Sequence, residues 1–129
     1  MAVAFTGLGV RLWVRPEHYA ASADFYRDKL GLKCAWRGPD ASTFELPFGP
    51  TIVLEQFDPA KDDEGHGDPS GRLTGLTLRV ADIASAYAGL KADGVVFMGA
   101  PEKQYWGGIM AFIVDPGGNI LTLLERTQE

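Results

Sequence analysis

The chain has one cysteine, Cys34, and two histidines, His18 and His66, in 129 residues. A lone thiol cannot close an intramolecular disulfide, so the core must hold the fold and a reducing, cytoplasmic setting is expected. Long apolar runs are also missing. None approaches the roughly 20 residues that cross a bilayer, and Met1 to Gly9 lack the basic and apolar regions of a secretory leader. A soluble protein with no membrane partner is expected. Basic charge is scarce too: 12 Lys and Arg face 17 Asp and Glu, a formal net charge of −5. Nothing clusters the cations into the positive surface that nucleic acid requires, so no nucleic-acid partner is expected. What remains is ordinary globular material, 46% hydrophobic and 22% charged, of a length that suits one domain.

The hydrophobic pattern divides that domain in two. Leu8, Val10, Leu12 and Val14 alternate with Gly9, Arg11 and Trp13, the period of a half-buried strand. Pro16 and Glu17 then suit a helix entry, and Tyr19, Ser22, Ala23, Tyr26 and Leu30 fall at helical spacing. The pattern predicts a helix over 17–30 with Gly31 as its left-handed cap. Strands are predicted over 32–36, 42–46 and 51–57, separated by Pro39-Asp40 and Phe48-Gly49-Pro50 turns. Residues 58–72 carry acids, prolines and glycines with almost nothing apolar, and read as an exposed linker. The pattern then restarts. Leu76, Leu78 and Val80 alternate with Gly75, Thr77 and Arg79, a helix is predicted over 83–92, and strands over 95–98, 108–114 and 120–124.

Both halves therefore read strand, helix, strand, strand, strand. Thr6-Gly7-Leu8 and Arg11 are echoed by Thr74-Gly75-Leu76 and Arg79, an internal duplication with a period of about 66–68 residues. The fold class expected is α+β: two βαβββ modules (1–57 and 73–129) joined by the linker, their open sheet faces curling into a half-barrel cup. Concave sites of that kind attract ligands.

Four segments carry a family resemblance across nearly the whole chain: Asp24-Phe25-Tyr26-Arg27-Asp28-Lys29-Leu30-Gly31-Leu32, Val80-Ala81-Asp82-Ile83, Tyr105-Trp106-Gly107 and Asp115-Pro116-Gly117-Gly118-Asn119. Together they resemble the vicinal-oxygen-chelate superfamily of glyoxalases, bleomycin-resistance proteins and extradiol dioxygenases. The resemblance implies a homodimer and, in metal-using members, a histidine on the first strand and a carboxylate on the last strand of each module. Those positions fall here on Gly9 (or Gly7), Gly75, Glu55 and Thr122. Only Glu55 is a ligand, so no metal and no other cofactor is expected. One divalent metal on a displaced set, Glu55 with His66 and water, is the alternative.

Strand alternation sets the cup lining independently of the family. Arg11, Trp13, Glu55, Thr77, Arg79 and Thr122 should face it, with Tyr105 and Trp106 at the rim. Arg11 or Arg79 is expected to pair with Glu55, since a sheltered charge needs a partner. The other arginine and the tryptophans would then grip a small-molecule ligand. Three functions stay open. The first is a metal-free binding protein sequestering an antibiotic or metabolite. The second is a lyase, isomerase or dioxygenase-type enzyme with Glu55 as its catalytic group. The third is an interaction module without a ligand. The Asp115–Asn119 segment is read as a turn, and Phe25 and Tyr26 as packing.

Overall fold

The computed structural model describes residues 3–62, 65 and 67–126. The first module runs β1 (Gly9–Val14), α1 (Pro16–Asp24), β2 (Lys33–Arg37), β3 (Ala41–Glu45) and β4 (Thr51–Gln56). The second runs β5 (Leu73–Arg79), α2 (Ile83–Ala92), β6 (Val96–Phe97), β7 (Glu102–Lys103), β8 (Ile109–Val114) and β9 (Ile120–Glu125). The strands form two separate sheets, ordered β1-β4-β3-β2 and β5-β9-β8-β6, with β7 also on β8. In each sheet the first strand lies parallel to the last, and the other pairs are antiparallel. This is the expected α+β architecture, with no closed barrel.

Three local features depart from the sequence pattern. The first helix is α-helical only to Asp24 and widens into a π-helical turn over Phe25–Lys29. That turn carries both rings inward. Tyr26 is fully buried, with Phe25 edge-on at 5.1 Å and Phe44 at 5.8 Å. Gly31 follows at φ 69°, the left-handed cap that the sequence asks for. In the second module the strand predicted over 95–98 shortens to β6, and an additional short strand, β7, follows it on the same edge of β8. Finally, β5 breaks register between Leu73 and Thr77 at Gly75, whose φ of 74° a side chain would strain. The second helix begins on Asp82, which caps Ser85, and keeps its predicted bounds.

One core runs through both modules. Leu12, Val14, Phe44 and Leu54 from the first sheet join Ile113, Leu121 and Leu123 from the second. The joint between them is polar as well as apolar, and it is the Asp115–Asn119 turn. Asp115 accepts from the backbone N–H groups of Gly117 (2.9 Å) and Asn119 (2.8 Å), which shapes the turn. Its other oxygen accepts the Tyr26 hydroxyl at 2.7 Å, across to the first module. Asn119, fully buried, donates to the carbonyl of Trp13 at 2.9 Å and accepts from the Arg72 N–H at 3.3 Å. Gly117 lies so close to β1 that a Cβ there would sit 2.2 Å from Val14 Cγ1. The segment is more than a turn, because its buried side chains fasten one module to the other.

Tyr26 tests this joint. Burial first, and then the Asp115 charge, push the phenol well above its ordinary 10.0, so the native fold favours the neutral hydroxyl. A group whose folded pKa is raised contributes stability that is present below its unfolded value and is lost as pH rises above it. Tyr26→Phe should cost about 1–3 kcal/mol at neutral pH by leaving Asp115 one donor short. It should also flatten the loss of stability above pH 10. Denaturant unfolding from pH 7 to 11 reads both effects; equal stabilities at neutral pH would contradict the joint.

Candidate functional site

The open face of the first sheet follows from its register. Along β1, Leu12 and Val14 are fully buried toward α1, while Arg11 is exposed and Trp13 partly exposed on the other side. Trp13 lies opposite Glu55 on β4, and Glu55 opposite Ala41 on β3. Arg11 is therefore diagonal to Glu55 on the same face, within reach of a long side chain. Its Nε donates to one Glu55 oxygen at 2.9 Å and its Nη2 to the other at 3.0 Å, a fork that engages the whole carboxylate. The guanidinium also sits 4.9 Å from the centroid of the Trp13 ring. Hydrogen bonding to Glu55, and then its charge, raise the Arg11 pKa above its ordinary value, so the group stays a cation.

These three side chains line a cavity of about 930 Å³. Its other walls are Asp40, Ala41, Gln56 and Phe57 at the strand ends, with Asp58, Lys61, Asp62, Gly67 and Pro69 from the connecting segment. Most of the connector's described residues are exposed, as its composition implies, but Asp58, Asp62 and Pro69 are half-buried and form a wall. Asp58 caps the short turn Pro59–Lys61 through Ala60, and Asp62 accepts from Gly67 at 3.3 Å. Asp68 pairs with Arg15, just past the end of β1, and also holds Ser70. Sequence reasoning missed this wall because the segment has no hydrophobic period. The available signal was topological: the segment leaves the sheet directly after Glu55 and Gln56.

The remaining candidates lie on the second module and none lines this cavity. Thr77 and Arg79 are exposed on β5, on one face with Thr122, Phe112, Leu124 and Met110 of the neighbouring strands. Thr122 is buried there. Trp106 is 45% exposed beside β8 and covers Gly108, where a Cβ would meet its ring at 2.0 Å. Tyr105 is fully exposed. Of the two arginines offered for Glu55, the register selects Arg11; Arg79 stays with the second sheet. His18 is exposed at the start of α1, and His66 lies outside the described residues.

The model of the glyoxalase/bleomycin resistance protein/dioxygenase superfamily matches residues 10–123. The chain belongs to this superfamily. A bleomycin resistance protein of Klebsiella pneumoniae is 37% identical over 117 residues, covering 84% of each chain. Among solved structures, a superfamily member from Sphaerobacter thermophilus is 28% identical with a TM-score of 0.75, covering 95% of this chain and 98% of the other. TnmS3, an antibiotic binding protein from a Streptomyces species, is 25% identical with a TM-score of 0.74, covering 98% and 99%.

The residues present do not fit a metal of the kind the superfamily's metal-using members hold. Gly9 has no ligand atom and pairs with Thr51, away from Glu55. Gly75 occupies a backbone conformation that glycine alone adopts easily. A hydroxyl at Thr122 is a poor substitute for a carboxylate, and both oxygens of Glu55 are taken by Arg11. Among the described residues no group of three or more His, Cys, Asp or Glu side chains is placed so that it could hold a metal ion.

The Arg11 side chain is 59% exposed and that of Glu55 28%, so water screens their attraction. A double-mutant cycle over Arg11→Gln and Glu55→Gln should return a coupling of about 0.2–1 kcal/mol in thermal or denaturant unfolding. A coupling of several kcal/mol would place the pair in the structural core instead of in an open site.

Proposed function

We propose that this protein binds a small molecule without metal, sequestering an antibiotic or metabolite in the cavity floored by Arg11, Trp13 and Glu55. The observation that carries the reading is the fork between Arg11 and Glu55: the one carboxylate in a superfamily ligand position is committed to a guanidinium. A volume of about 930 Å³ suits a drug-sized ligand. The named activities of the Klebsiella and Streptomyces relatives support the same reading. Both Glu55 oxygens are already engaged by Arg11, which argues against a metal-free enzyme built on Glu55.

The cavity is open on one side, and apolar side chains are exposed along the edges of the second sheet. Leu73 (64% exposed), Val96 (61%) and Met98 (61%) stand on or beside that sheet. A homodimer in the cytoplasm would bury these side chains and bring Thr77, Arg79 and Trp106 toward a partner's cavity. No helix among the described residues is long and apolar enough to cross a membrane.

Bleomycin is the direct probe. It should change the tryptophan fluorescence saturably, at one molecule per chain, and be recovered chemically unchanged. Trp13→Phe should remove most of that signal and weaken binding at least tenfold. Nickel, zinc, iron or manganese should leave the thermal midpoint unmoved. Bleomycin turnover that disappears in Glu55→Gln, or stabilisation by one metal at a stoichiometric ratio, would replace this reading with the enzymatic one. For the dimer, sedimentation should give twice the chain mass, and Val96→Glu should halve it. A monomer at all concentrations would exclude the shared cavity.

A further inference from the structure

The cavity floor is built like a receptor for a planar cation, and its cation is already supplied by the chain. A guanidinium lies between a carboxylate that it meets with two hydrogen bonds and an aromatic ring 4.9 Å away. The two partners are not equally placed. Glu55 stands on the central strand β4, flanked by β1 and β3, and its side chain is 28% exposed. Arg11 stands on the edge strand β1, and its side chain is 59% exposed. The arginine is the longer, more exposed partner and the glutamate the more sheltered one. The cavity also carries Asp40, Asp58 and Asp62 against Lys61. With the Arg11–Glu55 pair neutral in sum, the rest of the wall is acidic.

We propose that Arg11 is an internal stand-in for the ligand, and that the cavity takes a ligand bearing a guanidinium or amidinium group, which displaces Arg11 from Glu55 and Trp13. This rests on the reading of the cavity as a small-molecule site and names the chemical class it selects. An anionic ligand would have to draw Arg11 away from Glu55 and then lie beside that freed carboxylate and three aspartates. A planar cation instead meets the geometry that Arg11 already demonstrates. Displacement is cheap, because an exposed ion pair is weak. Arg11 lowers the affinity for every such ligand by the free energy of its own contact, about two- to fivefold. Its charge also repels cations that do not match the fork. An arginine in a binding site would ordinarily be read as a gripping residue, and its removal as a loss. Here removal is a gain.

Benzamidine and benzoate test this, being alike in size and flatness and opposite in charge. Binding is followed by NMR at the Trp13 indole N–H, assigned with Trp13→Phe. The native protein should bind benzamidine at least tenfold more tightly than benzoate. Arg11→Gln should tighten benzamidine two- to fivefold, with Arg11→Met repeating the result without a polar side chain. Glu55→Gln should abolish the preference for the cation. Weaker benzamidine binding in both Arg11 variants, or tighter binding of benzoate that Arg11→Gln destroys, would overturn the proposal and make Arg11 an anion grip. If neither compound moves the Trp13 resonance in any of these proteins, the small-molecule reading of the cavity itself fails.

Discussion

The contact on which the rest of the structure depends is the buried bond from Asn119 to the backbone of Trp13. The connector alone gives the two βαβββ modules no reason to hold one relative position, since it is polar and none of its described residues is buried. What fixes them is a small polar cluster inside the apolar seam, in which Asp115 shapes its own turn, takes the Tyr26 hydroxyl and orients Asn119. Buried polar groups are costly unless satisfied, so the cluster tolerates only the arrangement that satisfies them all. Gly117 against Val14 completes the fit, because only a residue without a side chain allows that approach.

This joint and the cavity share one strand. Trp13 offers its carbonyl to Asn119 at the edge of β1, while its ring lines the cavity and its neighbour Arg11 forks Glu55. Val14, one residue on, packs under Gly117 and passes its carbonyl to Phe57, a cavity wall. The strand that carries Arg11 and Trp13 is thus clamped by the second module, although that module contributes no side chain to the cavity within one chain. Cavity lining and module docking both fall on this one strand.

Much of this was legible in the sequence, and the legible parts are local. The alternation of Leu12 and Val14 with Arg11 and Trp13 assigns faces because a strand has a period of two, and the α2 bounds follow from Asp82 and the helical period. Glu55 facing an arginine was also within reach. Which arginine was not, because the choice depends on β1 lying parallel to β4 in a particular register. Asp115 and Asn119 read as turn residues, which they are; their partners Tyr26 and Trp13 lie in the other module, and no local pattern reports that. The π-helical turn at Phe25 and the short edge strands β6 and β7 were invisible for the same reason. Each is decided by what packs against it.

The claim beneath this account is that the joint makes the two modules one cooperative unit, with β1 held in place for binding. Native-state amide hydrogen exchange tests it most directly. The slowest amides of both sheets, Leu12 and Leu54 in the first and Ile113 and Leu123 in the second, should exchange with one shared free energy equal to that of global unfolding. Exchange of one sheet at a clearly lower free energy while the other stays protected would show two independent modules, and the joint would not be what holds the cavity.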